Sequence, residues 1–542
     1  MKKNWKIITG IALGLLISAA MLFANQLGVD NNAVWGVKRY ILFSLGIFIL
    51  IASLLYHEDN FLGQLFNTKT GPPYFASAMT VGVIILAYVW WVSLGLWTTW
   101  PESTNYYDLM ATAFSHGQLA LEVKPDPALL ALEDPYEPNN REGVPVLWDA
   151  TLYKEKYYLY WGPAPALLLT LVKFFYTNEI GDNALTFFFI AGLFIFLTLL
   201  ILELWKNYFQ EIPHWIILLS IILAGFINPI PFVLLNPRIY EAAIAGGQFF
   251  FIGGLYFLFT AFNKPNSTHL ALAGLFFTFA LGSRTTLLIP IGFISLIVLI
   301  WAVQSHRAKV LWFVIALALP LLLGGFSYAW YNYARFGSIT NFGYAYQLTG
   351  FNIHDTINQT FSPAYIPPNL YKTLFNPFEL KDTFPFIKPT LWSPPNWFHN
   401  SERGIYYYFA ESITGLLVST PFLILAALRK KKELFWISTS LTGSTLLIFL
   451  TTQIFFYTTM RYLLDLVPAL SLLALIGFWS RLDLLKTKPV EKFSFTILGF
   501  SLWAYTIAVS ILLIFSSNLP RFKTYNPELF QQLIQTFNNL LK

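Results

Sequence analysis

Long uninterrupted apolar runs, separated by short basic loops and two long polar ones, set the layout of this chain. The first runs are Trp5 to Ala24, Tyr40 to Tyr56 and Phe75 to Trp100. Each approaches the ~20 residues that an α-helix needs to cross a bilayer. The short loops 304–309, 429–432 and 481–492 gather Lys and Arg, the signature of cytoplasmic connections. Counting back from them predicts spans near 184–204, 215–235, 240–262, 268–283, 286–303 and 309–331. Counting forward predicts spans near 405–428, 434–456, 460–480 and 493–516.

One apolar run does not fit this alternation. A span at 164–176 would invert every later loop, and the run is short and contains Lys173. It is therefore predicted to lie on the outer surface as a juxtamembrane helix. A single kinked helix through Ser283-Arg284-Thr285-Thr286, in place of a tight outer turn, would instead restore a span there. The preferred count predicts an all-α polytopic membrane protein of about 13 transmembrane helices. Lys38 and Arg39, between the first two spans, run against the charge rule.

Composition narrows the function classes. The chain of 542 residues is 56% hydrophobic and 11% charged. Long apolar runs exclude a β-barrel, which would show short alternating segments. The net charge of +6 sits mostly in short loops and so reads as topology, with no nucleic-acid partner. The absence of Cys excludes disulfides, thiolate catalysis and Cys metal sites, and the seven His residues, His116 and His399 among them, show no ligand spacing. A divalent cation in the acidic first loop is conceivable, but no diagnostic ligand set is present, and no metal ligand or cofactor is assigned.

Polarity is concentrated in the island 101–162. Ten acidic residues lie between Glu102 and Lys156, against 28 in the whole chain. Carboxylates massed beside helix ends in a membrane protein point to use. Tyr106 to Phe114 reads as a short helix closed by Gly117. Glu102 and Asp108 flank its start, either as capping acids favoured by the helix dipole or as a general base facing a cavity. A second outer loop, 334–404, is rich in Pro, Asn, Phe and Tyr and reads as an ordered lid. The short C-terminal tail, 518–542, carries a weakly amphipathic helix.

The order of these motifs resembles the GT-C superfamily of membrane glycosyltransferases, which includes protein O-mannosyltransferases and lipid A aminoarabinose transferases. The likeness lies in the acid before YYDLMATAFSHGQL, in KYYLYWGPAPALLL opening the second juxtamembrane helix, and in Asn236-Pro-Arg238-Ile-Tyr-Glu241 at an outer helix end. It implies a GT-C-like transmembrane domain over 1–517, with outer loops 101–183 and 334–404. It implies inverting transfer of a sugar from a polyprenyl-phosphate donor to a glycan, lipid or protein acceptor at the outer face of a bacterial inner membrane. Glu102 or Asp108 would be the catalytic base. Asp149, Lys156, Arg238, Glu241, Arg335, Arg403 and Arg461 would bind sugar or phosphate, since a departing lipid phosphate needs cations rather than an acid. Arg284 is a further outer cation, and Glu411 an acid inside a predicted span. Trp148, Tyr157, Tyr158 and Trp161 read as stacking surfaces for a sugar or as an interfacial belt. Arg461 and Asp465 read equally as an i,i+4 ion pair. A ligase or polymerase of lipid-linked oligosaccharides would use similar residues. A transporter or flippase is the alternative of another class, but no internal repeat supports it.

Overall fold

The computed structural model describes residues 5–25, 27, 29, 35–54, 71–101, 103–393, 408–516 and 521–540. Glu102, Arg403 and His399 lie outside the described residues.

The chain divides into two compact units, Met1–Thr80 and Val81–Lys542. In the first, α1 (Trp5–Leu22) and α2 (Val37–Leu54) pack as a close pair. Small residues allow the approach: a Cβ on Gly14 would stand 2.6 Å from the backbone nitrogen of Leu50. Arg39 explains the basic pair that sequence reasoning found out of place. Its Nε donates to the Met21 carbonyl at 2.7 Å and its Nη2 to the Leu22 carbonyl at 3.0 Å. It thereby satisfies acceptors that the last turn of α1 leaves open.

The third helix, α3 (Gly71–Val92), contains the boundary and runs into the second unit. There follow a short helix α4 (Tyr106–Ser115), a hairpin of β1 (Thr151–Tyr153) and β2 (Lys156–Tyr158), and the ten-residue α5 (Ala164–Lys173). The bundle then comprises α6 (Asp182–Tyr208), α7 (His214–Phe226), α8 (Ile239–Asn263), α9 (Ser267–Ser283), α10 (Leu288–Ser305) and α11 (Val310–Phe336). After the second long loop, with α12 (Ile366–Leu374), come α13 (Phe435–Gln453), α14 (Val467–Leu484), α15 (Pro489–Phe515) and α16 (Pro527–Leu540).

Eight helices among the described residues are long and apolar enough to cross a membrane, and the fold is predominantly helical. The predicted spans at α1, α2 and α9 are helices outside this set of eight, and two further predicted spans take another form. The run 215–235 is α-helical only to Phe226, where Pro229 and Pro231 prevent its continuation, and resumes as a 3-10 turn at Phe232–Leu234. The run 405–428 contains no long helix among its described residues. It holds a two-residue strand β5 (Phe409–Ala410), one turn at Leu416–Ser419 and a 3-10 segment Pro421–Ala427. Pro421 stops the turn at Leu416–Ser419 from continuing as an α-helix and stands at the first position of the 3-10 segment. Gly477 of α14 lets this segment lie directly on it, since a Cβ would collide with the Leu425 carbonyl.

The connections of the second unit gather at two ends of the bundle. At one end, Lys431 bonds Asp483 at 3.0 Å and the Tyr208 carbonyl at 2.7 Å, and Lys486 pairs with Glu211 at 3.7 Å. The basic loops 429–432 and 481–492 lie there. The loop 101–181 begins and finishes at the opposite end, where Asn183 Nδ2 donates to the Pro101 carbonyl at 2.9 Å.

Candidate functional site

The opposite end is built around three helix N-termini. Asn105 supplies no side-chain cap to α4, and Asp182, at the start of α6, does so across the fold. Its carboxylate accepts from the Tyr106 and Tyr107 amides at 3.1 and 3.4 Å and from the Thr104 hydroxyl at 2.5 Å. Thr104 Oγ1 in turn accepts from the Ile239 amide at 2.8 Å, at the start of α8. Ser103 donates to the Pro237 carbonyl. Thus the segment beside Glu102 is fixed on both flanks of Arg238. Asp182→Ala removes an acceptor serving three donors and is expected to lower stability by about 1–3 kcal/mol. Thermal unfolding in detergent reads this, with Asp182→Asn retaining part of the loss.

Asp149 stands where the two long loops meet. Its amide donates to the Leu348 carbonyl at 2.8 Å, and the Leu348 amide returns a bond to the Ala150 carbonyl at 2.9 Å. Thr151 bridges Gln347 in antiparallel fashion and donates to the Gly343 carbonyl at 3.2 Å. Asp149 adopts φ 62°, which Asp tolerates better than most residues. Gln347 Nε2 donates to its carboxylate at 3.0 Å. Burial pushes the Asp149 carboxyl up to about 6, against the pull of hydrogen bonds from Thr349 and Gln347 and of the charges on Arg238 and Arg461. Around it is an aromatic wall. Tyr106 donates to the Trp148 carbonyl and lies 6.1 Å from Trp161; Trp161 lies 4.2 Å from Tyr160 and 5.6 Å from Tyr240.

Tyr240 connects this wall to the cations. The guanidinium carbons of Arg238 and Arg461 lie 5.2 and 5.0 Å from its ring. Both arginines approach Glu241 at 3.8 Å, and Glu241 also accepts from the Arg238 amide at 3.1 Å, an N-terminal box for α8. Arg461 reaches Glu411 at 3.3 Å and bonds the Tyr457 hydroxyl. Glu411 is set there by the parallel pairing of β5 with β6 (Tyr457–Thr458) and accepts from Thr459. The Nε atoms of Arg238 and Arg461 are buried yet make no hydrogen bond. That is unusual for so polar a group, although the Arg238 Nε stands 3.8 Å from the Glu241 carboxylate.

The other sequence candidates are placed as follows. Asp108 is buried, 2.7 Å from Lys173 Nζ, and accepts from the Ile180 amide at 3.0 Å; it clamps α4 to α5 and to the start of α6. Lys156 is exposed on the hairpin, opposite Tyr153. Arg335 donates to the Leu159 carbonyl at 2.6 Å and to Asn332 at 2.9 Å, and stacks 3.7 Å from Tyr331. Tyr157 is buried within the loop, its hydroxyl accepting from the Leu147 amide at 3.3 Å, and Tyr158 is buried against Phe336 of α11 at 5.4 Å. Arg461 and Asp465 do not pair with each other. Residues Met460–Asp465 form a 3-10 helix, which aligns i with i+3 and carries i+4 off the face. Asp465 instead takes Arg284, with Nε at 2.8 Å and Nη2 at 2.6 Å, so the Arg284 charge is neutralised within the fold. Asp182 was missed because it stands in front of an apolar run and its partners are distant in sequence. Among the described residues no group of three or more His, Asp or Glu side chains is placed to hold a metal ion.

No protein-family model and no curated protein matches the chain. Among solved structures it is similar to the apo oligosaccharyltransferase of Archaeoglobus fulgidus, at 13% identity and a TM-score of 0.45. The match covers 80% of this chain and 56% of that one, so the chain spans little more than half of that protein's length.

Proposed function

We propose that the chain is a multi-pass membrane glycosyltransferase that moves a sugar from a polyprenyl-phosphate donor to an acceptor hydroxyl or amine. The observation that carries this is the convergence of Asp149, an aromatic wall and two arginines with unbonded Nε groups at one end of the bundle. The basic loops at the other end favour a cytoplasmic placement for that end, and hence a site at the outer face of a bacterial inner membrane. Arg238 and Arg461 hold the donor phosphate, and Tyr106, Trp161 and Tyr240 line the sugar. Asp149 is the base in this reading. It takes the acceptor proton as the acceptor attacks the anomeric carbon. The bond from that carbon to the phosphate oxygen breaks, its electron pair leaves with the lipid phosphate, and a single displacement inverts the centre. Asp108 serves as a structural clamp.

The test is a transfer assay with purified protein, radiolabelled polyprenyl-phosphate sugars and a membrane lipid extract. Arg461→Gln is expected to lower turnover by about 10²-fold or more, as loss of one charge-stabilising donor typically does. Full activity in Asp149→Asn together with a dead Glu102→Ala would move the base to Glu102. Unchanged turnover in Arg461→Gln would remove the phosphate site.

A further inference from the structure

The segment Gly343-Tyr-Ala-Tyr-Gln347 of the second long loop begins with a glycine where a side chain could not fit. Gly343 adopts φ 82°, and a Cβ there would collide with the Phe336 ring and stand 2.9 Å from Thr151 Cγ2. The 3-10 turn Tyr344–Tyr346 then delivers Gln347 to the first long loop, where it pairs with Thr151 as an isolated antiparallel bridge. Gln347 is only 5% exposed, so its amide has little water to turn to. A carboxylate is an acceptor only, and the amide nitrogen faces it: Nε2 donates to Asp149 Oδ1 at 3.0 Å. The Asp149 backbone is already pinned, its amide on the Leu348 carbonyl at 2.8 Å. Gln347 therefore acts on the side-chain torsions that remain. A carboxylate offers about four lone-pair sites, so one oxygen can keep this bond while the group takes a proton.

We infer that Gln347 is a positioning residue of the transfer site, which holds the Asp149 carboxylate in its proton-accepting orientation from the second long loop. This rests on the reading of Asp149 as the base. A hydrogen bond to the ionised form of a carboxyl favours that form. Burial raises the Asp149 carboxyl, and Thr349, Arg238, Gln347 and Arg461 pull it back toward its usual range. The other groups that face it are Tyr106 of α4, Tyr160 after β2 and Tyr344 of the 3-10 turn. Burial lifts all three phenols, Tyr106 to about 12, so none of them titrates with the Asp149 carboxyl at about 6. Both arginines stay charged in that range. An acid limb near this pH thus reports on Asp149 and on what donates to it.

The experiment is the pH profile of kcat/KM in the transfer assay, with full-length wild type, Gln347→Met, Gln347→Glu and Asp149→Asn. Met is unbranched and adaptable like Gln, but it donates nothing. In Gln347→Met the acid limb is expected to move up by about one pH unit. Near the wild-type midpoint the variant should then run about fivefold slower, with the gap narrowing toward alkaline pH. Gln347→Glu sets a second carboxylate against the first and is expected to move the limb up further. A residue that merely joined the two loops would lower the unfolding temperature and leave the limb in place. A limb at the wild-type position in folded Gln347→Met would overturn the inference while leaving Asp149 as the base. Should Gln347→Met fail to fold, Gln347→Glu decides by the same criterion. A wild-type profile without an acid limb, or a limb that survives in Asp149→Asn, would overturn the base and the inference with it.

Discussion

Asp149→Asn is expected to lower sugar transfer by about 10²–10⁴-fold while leaving the protein folded, the range associated with loss of a general base. The amide is nearly isosteric, tolerates the left-handed backbone at φ 62° and still accepts from Gln347. What it cannot do is take a proton. The pH profile separates this from a structural role. Burial raises the Asp149 carboxyl from 3.8 to about 6, so below pH 6 the wild-type base is protonated and idle. In wild type, kcat/KM should rise about tenfold per pH unit up to pH 6 and level off above pH 7. In Asp149→Asn the acid limb should vanish from whatever activity remains. Stability moves in the opposite sense. Between pH 3.8 and about 6 the folded state holds the extra proton, so stability falls as pH rises through that window and stays low above it. The Asn variant should lack this dependence. An acid limb that survives unchanged in Asp149→Asn would remove Asp149 from the chemistry.

The positions of the long helices were legible because apolar length is a local property. Where local rules failed, specific residues explain it. Residues 405–428 are apolar enough to suggest a span, yet Pro421 stops the turn before it from continuing as an α-helix, and the absence of a side chain at Gly477 lets the 3-10 segment lie on α14. The i,i+4 spacing of Arg461 and Asp465 allows a pair only on an α-helix, and a 3-10 turn sends them to different partners, Glu411 and Arg284. Asp149, Arg238, Glu241 and Arg461 were each legible as chemistry-bearing types. Their convergence was not, because it depends on residues 343–349 folding onto 147–151 across almost two hundred positions. Asp182 carried no sequence signal at all and looks like the polar edge of a span.

The largest stability effect should come from the buried Arg284–Asp465 pair. Asp465 is 1% exposed and binds Arg284 through both carboxylate oxygens, with Gln248 donating to it at 3.4 Å. Arg284 packs 5.2 Å from the Tyr462 ring, and Arg461 lies 5.8 Å from that ring. Removing the carboxylate leaves a guanidinium buried without its counter-charge and beside a second one. Asp465→Asn is therefore expected to cost about 3–5 kcal/mol, read as a large fall in thermal midpoint in detergent. The cost arises from the stranded charge rather than from the attraction lost, since desolvating the pair offsets much of what their attraction provides. Arg284→Met combined with Asp465→Leu should then recover most of the stability, a coupling that a double-mutant cycle measures directly. A double variant as unstable as the sum of the singles would show that shape, not charge, holds α9 to the 460–465 turn. Transfer activity adds a second readout. If Arg284 only anchors that turn, the rescued double variant keeps Arg461 in place and retains turnover. Loss of turnover in a stable double variant would instead make Arg284 part of the phosphate site.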